Sequence, residues 1–297
     1  MSKSPRRYEN LAAWGRGVPG VPDLLRRAGY VDIAADFAFQ NQDLDVVHPD
    51  FIAASQLMQN TLLIELKSGA NVDPDQARRA SRVSDKDLVQ RVQISPDAAR
   101  THDIVIVGQS EHIDRLRIGV DGAGHPFPIL ITDDAGISLA HNALKVGELQ
   151  RGFVPTLEIS WSRVPTGFVR IDVSSELWEV AEVLGPKLLS YMMERRPRIA
   201  LTEVYPDLCE AWSCLGSPFQ DQIRAKVKRV LKEAQAGPFK PYLKMDAGDI
   251  LFIDNPLYFG TDRRSNAYRT LKTAQRNLID QLRSGVGRPE QLSLQLV

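Results

Sequence analysis

Six short apolar runs between residues 44 and 161 constrain the fold of this chain more than any other feature. In chain order they are LDVV, FIAAS, TLLIEL, DIVIVG, PFPILIT and TLEISW. Turn-prone or helical segments separate the runs, as is typical of strands in a sheet. One of these segments, DPDQARRASRV, predicts a helix that Asp73 or Asp75 caps. Strands interleaved with helices predict an α/β fold built on a mixed sheet.

The chain after about residue 175 has a different pattern. SELWEVAEVLGPKLLSYMMERR and SPFQDQIRAKVKRVLKEAQ have the periodicity of amphipathic helices, and ALTEVYPDLCEAW between them predicts a short helix. FKPYLKM and DILFIDN flank turn residues and predict a β-hairpin, and a last helix ends at Gly285. The order of these elements resembles a winged helix-turn-helix over residues 186–256. We therefore predict two domains, an α/β domain at 1–180 and a mostly helical, winged-helix-like binding domain at 181–297.

Charge is distributed unevenly along the chain, although the formal net charge is zero. Residues 1–185 contain 19 Lys and Arg against 25 Asp and Glu, whereas residues 186–285 contain 17 against 11. Seven basic residues lie in 218–244, and we take Arg224 and Lys228 among them as candidate nucleic-acid contacts. A solvated helix face is the alternative for that segment. A basic part that holds phosphates beside an acidic part that holds metal favours a nuclease with a separate binding module.

The segment from HPDF to TLLIELKS carries the candidate chemistry. Asp50 precedes the strand FIAAS, and the chain returns through QLMQN, so we expect Asp50 to lie near Glu65 on the neighbouring strand. Because strand side chains alternate between faces, Glu65 and Lys67 point to the same side. Carboxylates that converge from rigid strands suit Mg²⁺, which takes one or two of them plus waters. Asp43 or Asp45, on the preceding run, is the alternative partner of Glu65.

The Pro-Asp pair that ends at Asp50 and the Glu-Leu-Lys sequence from Glu65 to Lys67 resemble the two halves of a known motif. It is the motif of the PD-(D/E)xK, or restriction-endonuclease-like, nuclease superfamily. The resemblance covers about residues 1–175 and implies a small mixed sheet flanked by helices. It also implies that Asp50 and Glu65 bind Mg²⁺ or Mn²⁺, and that Lys67 acts on the attacking water or on the developing charge.

The helix after the Glu-Leu-Lys strand adds further candidates. Many superfamily members carry a glutamine there, a position that Gln76 matches, and an acidic residue on their first helix, for which Glu9 is the candidate. Arg79 follows Gln76 along one side of the same helix and is a candidate phosphate contact. A solvated helix face is the alternative for Arg79 and Arg82.

The resemblance implies a metal-dependent endonuclease that hydrolyses DNA. A nuclease joined to a winged helix resembles transposon-end endonucleases and bacterial defence or restriction effectors, which implies a role of that kind. Such enzymes often work as dimers or with a partner protein, because one active site cuts one strand. Two alternatives remain, a non-catalytic scaffold that binds nucleic acid or protein on a nuclease fold, and a nuclease that cuts RNA.

Motifs for other chemistries are missing from the sequence. The five histidines have neither HxH nor HxxxH spacing, and no Walker or dinucleotide-binding fingerprint occurs. Cys209 and Cys214 are too few for a zinc site, so we expect reduced thiols. No run approaches the roughly 20 apolar residues that span a bilayer, and the N-terminus lacks the apolar run of a secretory signal. We therefore expect a cytoplasmic protein without membrane association.

Overall fold

A computed structural model describes residues 23–159, 171, 175–253 and 261–285 of the chain, with the side chains of residues 261–265 excepted. The chain divides into two compact units, Met1–Phe168 with Glu210–Phe219, and Val169–Cys209 with Gln220–Val297. The first unit combines a mixed sheet with helices interspersed along the chain, which confirms the predicted mixed α/β class. None of the helices in the described ranges has the length and apolar character needed to cross a membrane.

A mixed sheet forms the centre of the first unit. The strands of this unit are β1 Tyr30–Ala35, β2 Phe39–Gln40, β3 Val46–Val47, β4 Phe51–Ser55, β5 Asn60–Leu66, β6 Thr101–Gln109, β7 Ile129–Thr132, β8 Gly136–His141 and β9 Leu157–Glu158. Seven of them form the sheet in the order β1-β4-β5-β6-β7-β8-β9, and β2 and β3 form a separate two-stranded sheet. Strands β5, β6 and β7 run parallel, and every other neighbouring pair in the larger sheet is antiparallel.

Helices connect these strands, and the second helix matters most for the site. It starts as predicted, because the side chain of Asp73 accepts a hydrogen bond of 2.9 Å from the backbone N–H of Asp75. Its buried residues are Ala77 and Ala80, which are small enough to bring it close to the sheet. The helices of the first unit are α1 Leu24–Arg27, α2 Pro74–Ser81, α3 Asp85–Gln90, α4 Ile113–Gly122 and α5 Gly147–Gly152, with a 3₁₀ turn at Ser110–His112.

Strand β5 is buried along nearly its whole length, and its two faces differ in character. Leu62 and Ile64 pack into the apolar core cluster, and Leu66 packs against it from the same side. That cluster also contains Val105 of the parallel neighbour β6. Because side chains alternate along a strand, Glu65 points to the face opposite this cluster.

The second unit contains mainly helices and a three-stranded antiparallel sheet in the order β10-β12-β11. The predicted hairpin is present, with Ala247 and Gly248 both at positive φ in its turn. The predicted last helix ends at Ser284, before Gly285 at a φ of 67°. The elements are α6 Leu177–Met193, β10 Arg198–Ala200, α7 Leu201–Leu208, α8 Ser217–Ala236, β11 Leu243–Asp246, β12 Asp249–Phe252 and α9 Thr261–Ser284.

One predicted strand differs from the structure, and others were not predicted. The run LDVV was predicted to join the mixed sheet, but only Val46–Val47 is extended, and it pairs with Phe39–Gln40. The reason is the buried Asn41, whose side-chain oxygen accepts hydrogen bonds from two backbone N–H groups of the following loop. TLEISW contributes the strand Leu157–Glu158, and its last two residues lie outside the described part. The sequence analysis did not predict β1, β2, β8 or β10.

Candidate active site

Two acidic residues lie opposite each other where β4 begins and β5 ends. The antiparallel register pairs Phe51 with Ile64, so the next positions outward, Asp50 and Glu65, share one face of the sheet. The backbone N–H of Leu66 donates a hydrogen bond of 2.6 Å to Asp50 Oδ2. The sequence places both carboxylates here because the turn between the strands fixes their register.

Gln76 connects Glu65 to Lys67. The amide Nε2 of Gln76 donates a hydrogen bond of 2.8 Å to Glu65 Oε2, and its Oε1 accepts one of 2.9 Å from Lys67 Nζ. The ammonium of Lys67 lies 3.7 Å from the same Glu65 oxygen. Helix α2 supplies Gln76 one turn after its capped start. The structure thus brings Glu65, Lys67 and Gln76 into contact, with Asp50 on the same face.

Glu65 is a buried carboxyl group, with a side chain 9% exposed. Burial raises the pKa of Glu65 to about 7, and the negative charge of Asp50 adds to this increase. Three groups act in the opposite direction on this pKa, Lys67 first, then the hydrogen bond from Gln76 and the charge of His48. The carboxyl group therefore titrates near neutral pH, where a nearby cation favours its charged form.

A cleft lies beside this cluster. Glu65, Lys67 and Gln76 provide polar groups to it, whereas Ile104 and Phe127 are among its apolar lining residues. Charged groups in a partly apolar cleft interact more strongly with a ligand than they would in open water. The arrangement is thus suited to holding a charged group of a substrate against Glu65 and Lys67.

The residues present fit a hard divalent cation. Asp50 and Glu65 offer carboxylate oxygens, the ligands that Mg²⁺ and Mn²⁺ prefer. The negative charge of Asp50 also raises the pKa of Glu65, so a divalent cation between these two carboxylates would favour the charged form of both. In the part of the chain that the structure describes, no group of three or more His, Cys, Asp or Glu side chains is arranged to hold a metal ion. Two carboxylates suffice for Mg²⁺, which keeps several waters and takes substrate phosphates as further ligands.

The alternative acidic residues are engaged elsewhere. Asp43 and Asp45 lie in the loop between β2 and β3, and both pair with Arg82, at 3.6 and 3.4 Å. Arg82 follows the end of α2, whereas Gln76 lies in its first half. This geometry favours Asp50 as the partner of Glu65. It also agrees with the solvated, paired role that was the alternative for Arg82.

The remaining candidates have different surroundings. Arg79 is half-buried, and the described residues include no ion-pair partner for its guanidinium. On α8, Arg224 pairs with Asp221 at 2.6 Å, while Lys228 is exposed. Glu9, the acidic residue expected to assist with metal, lies outside the described residues.

The histidines have separate partners in the described part of the chain. His102 and His141 each contact a separate carboxylate at 2.8 Å. His48 differs, because its charge lowers the pKa of Glu65 while its Nε2 lies 2.7 Å from Asp36. The sequence analysis assigned no role in the site to His48. Its position two residues before Asp50 is the signal that places it near the site.

No protein-family model, curated protein or solved structure matches this chain. The resemblance to the PD-(D/E)xK superfamily therefore depends on the residues of this chain and their arrangement. The roles of these residues in catalysis remain predictions.

The buried carboxyl of Glu65 predicts a pH-dependent stability. Its folded-state pKa, about 7, lies above the ordinary value of 4.5, so the folded chain binds more protons than the unfolded chain between these pH values. The free energy of unfolding contributed by this group therefore falls as the pH rises through that window, by roughly 3 kcal/mol in total. We expect Glu65→Gln to be more stable than the wild type at pH 8 in EDTA, with the difference shrinking towards pH 4.5.

Urea denaturation at several pH values measures this difference, and Glu148→Gln provides the control, because Glu148 is an exposed glutamate of the same unit. A Glu65→Gln variant that is less stable than the wild type at pH 8 would contradict the prediction. It would mean that Lys67 and Gln76 more than offset the cost of burying the charge.

Proposed function

We propose that this chain is a metal-dependent nuclease of the PD-(D/E)xK type that hydrolyses phosphodiester bonds of DNA. The observation that carries the proposal is the contact set around Glu65, a buried carboxylate bridged by Gln76 to Lys67 and facing Asp50 across the strand pair. A Glu and a Lys on an exposed strand would be ordinary surface patterning. Here the glutamate is buried on a strand whose other face packs into the core, where a charge is costly unless it has a function or a partner.

Asp50 and Glu65 are the residues that would hold Mg²⁺ or Mn²⁺. When bound, such a cation polarises the scissile phosphate and lowers the pKa of an attacking water. Leu66 keeps Asp50 oriented through its backbone N–H, and Gln76 keeps Glu65 oriented through its amide. Both carboxylates are therefore held in position before a substrate arrives, which reduces the entropy lost on binding.

Lys67 would position the attacking water or stabilise the negative charge that develops on the phosphate. Its ammonium donates to Gln76 Oε1, so the amide of Gln76 is oriented with its N–H groups towards Glu65. This arrangement holds the Lys67 ammonium close to the carboxylate without a direct hydrogen bond to it. A cation held in this way stabilises negative charge at the phosphate in the transition state.

The second unit supports a nucleic-acid partner. Its elements follow the order helix, strand, helix, helix and hairpin, and the first strand pairs with the hairpin, an order that matches a winged helix-turn-helix. Exposed cations, including Lys228, lie along α8, the helix that such domains place on DNA. Arg224 is paired with Asp221, so we assign a phosphate contact to Lys228 in preference to Arg224. A defence, restriction or mobile-element role, and a second copy or partner protein for cutting both strands, remain predictions by analogy.

Cleavage assays test the proposal directly. Plasmid, linear duplex, single-stranded DNA and RNA are incubated with Mg²⁺, Mn²⁺ or EDTA, using the wild type, Lys67→Ala and Lys86→Ala. We expect metal-dependent cleavage of DNA by the wild type and a loss of about 100-fold or more in Lys67→Ala, because its charge acts on the transition state. Lys86 is an exposed lysine on α3, so its variant should cut like the wild type.

The other outcomes of this assay identify the alternatives. Cleavage of RNA alone would support the RNA-directed nuclease. Cleavage that persists in Lys67→Ala would contradict the assigned site. Metal-independent binding of nucleic acid without any cleavage would support the non-catalytic scaffold.

Arg79 and Arg78 are neighbours on α2, and variants of the two test whether this helix contacts the DNA backbone. Arg79 is half-buried on the helix that carries Gln76, whereas Arg78 is exposed and pairs with Asp75. We expect Arg79→Ala to weaken DNA binding in EDTA and to reduce the slope of log K against log salt concentration by about one, as the loss of one phosphate contact does. Arg78→Ala should change neither quantity. Equal behaviour of the two variants would exclude Arg79 as a phosphate contact.

A further inference from the structure

Helix α9 has a stripe of positive charge along its exposed side. Its buried residues Ala267, Leu271, Ala274 and Leu278 define one face of the helix. Four cations lie on another side, within a sector of about 60° at the roughly 100° per residue of an α-helix. They are Arg269, Lys272, Arg276 and Arg283, and we call them the α9 stripe. The stripe is about 21 Å long, from the roughly 1.5 Å rise per residue.

The sequence places these like charges close together on one side of the helix. Lys272 has Arg269 three positions before it and Arg276 four positions after it, spacings at which like charges destabilise a helix. Arg269 and Arg276 make no salt bridge with any residue in the described part of the chain, and Asp280 is the acidic residue on this side. On α8, by contrast, Arg224 pairs with Asp221 one turn away. This repulsion destabilises the free helix, and a negatively charged ligand bound to the stripe would relieve it.

Two aromatic rings hold cations of the stripe. The ammonium of Lys272 lies 5.2 Å from the ring centre of Tyr268, and the guanidinium carbon of Arg283 lies 4.3 Å from that of Trp178 on α6. Such contacts favour particular side-chain orientations and keep the charge available on the outer side. The adjacent sector carries the exposed amides of Asn266 and Asn277, while the hydroxyls of Thr270 and Thr273 donate to the backbone carbonyls of Asn266 and Arg269. Hydrogen-bonding groups beside cations are typical of surfaces that contact phosphates.

We propose that the α9 stripe binds the phosphodiester backbone of duplex DNA, without regard to base sequence. The choice of DNA as the polyanion depends on the function proposed above, and the stripe adds to it a second contact surface outside the cleft and outside α8. A row of cations about 21 Å long can follow the phosphates that are spaced regularly along a duplex. The apolar face of α9 is already buried within its own unit, so the helix has no such face left to insert into a membrane.

The test measures DNA binding by fluorescence anisotropy with the full chain in EDTA, between about 50 and 200 mM salt. The variant combines Arg269→Gln, Lys272→Gln and Arg276→Gln, exposed positions where glutamine is a good helix former. We expect the slope of log K against log salt concentration to fall by about 2 to 3, and affinity at low salt to fall about 10-fold or more.

Two further variants separate the stripe from charge in general and from misfolding. Arg269→Lys with Arg276→Lys keeps the charge and should keep the slope of the wild type. The matched triple Lys86→Gln, Arg115→Gln and Arg117→Gln removes the same charge from exposed positions of the first unit and should change the slope less than the stripe variant does.

The inference is overturned if the stripe variant has the slope and affinity of the wild type, or if the matched triple lowers them equally. It is also overturned if the stripe variant loses the binding of the wild type to vesicles of anionic phospholipid but binds duplex DNA as the wild type does. Binding in EDTA is independent of cleavage. If cleavage depends on Lys67 but the stripe variant binds DNA like the wild type, the stripe proposal has failed. If DNA binding depends on the stripe but no cleavage depends on Lys67, the proposed nuclease activity has failed.

Discussion

A carboxylate buried on a central strand is the interaction on which the rest of the first unit depends. Glu65 lies on β5, between a neighbour that runs antiparallel and one that runs parallel, and the residues on either side of it face the apolar core. A charge at that position requires compensation from its own face of the sheet. That face carries Gln76, Lys67 and, at the start of β4, Asp50. The small residues Ala77 and Ala80 let α2 lie close to the sheet, so that Gln76 reaches the carboxylate.

This constraint explains why the fold and the candidate site are hard to separate. Leu66 packs on the core side while Glu65 and Lys67 reach the cleft, so a shift of register by one residue would expose the core face and remove the site together. The same backbone position also donates a hydrogen bond to Asp50. The stability of the first unit and the geometry of the candidate site thus depend on the same strand. The burial of Glu65 on that strand raises its pKa to about 7.

The sequence predicted those parts of the structure that depend on local patterns. Continuous apolar runs identified β4, β5, β6 and β7, and the two candidate caps, Asp73 and Asp75, identified the start of α2, which Asp73 caps. The proximity of Asp50 to Glu65 followed from a short turn, which fixes the register of its two strands. By contrast, YVDIAA and GISLAH in β1 and β8 mix polar and apolar residues, so periodicity alone did not identify them as strands.

Long-range contacts account for the rest. The hydrogen bonds of Asn41 turn most of LDVV into a loop, and the pairing of Arg82 with Asp43 and Asp45 depends on where that loop meets α2. No local pattern encodes such contacts. The electrostatic influence of His48 on Glu65 belongs to the same class, since it results from the way β1 and β4 bring Asp36, His48 and the site together.

The central claim is that Asp50 and Glu65 form a site for a divalent cation, and calorimetric titration of the full chain with Mg²⁺ and Mn²⁺ tests it most directly. The account predicts that the wild type binds metal, that Asp50→Asn and Glu65→Gln abolish this binding while remaining folded, and that Asp43→Asn binds like the wild type. Unchanged metal affinity in Glu65→Gln, or a loss of binding in Asp43→Asn alone, would contradict it.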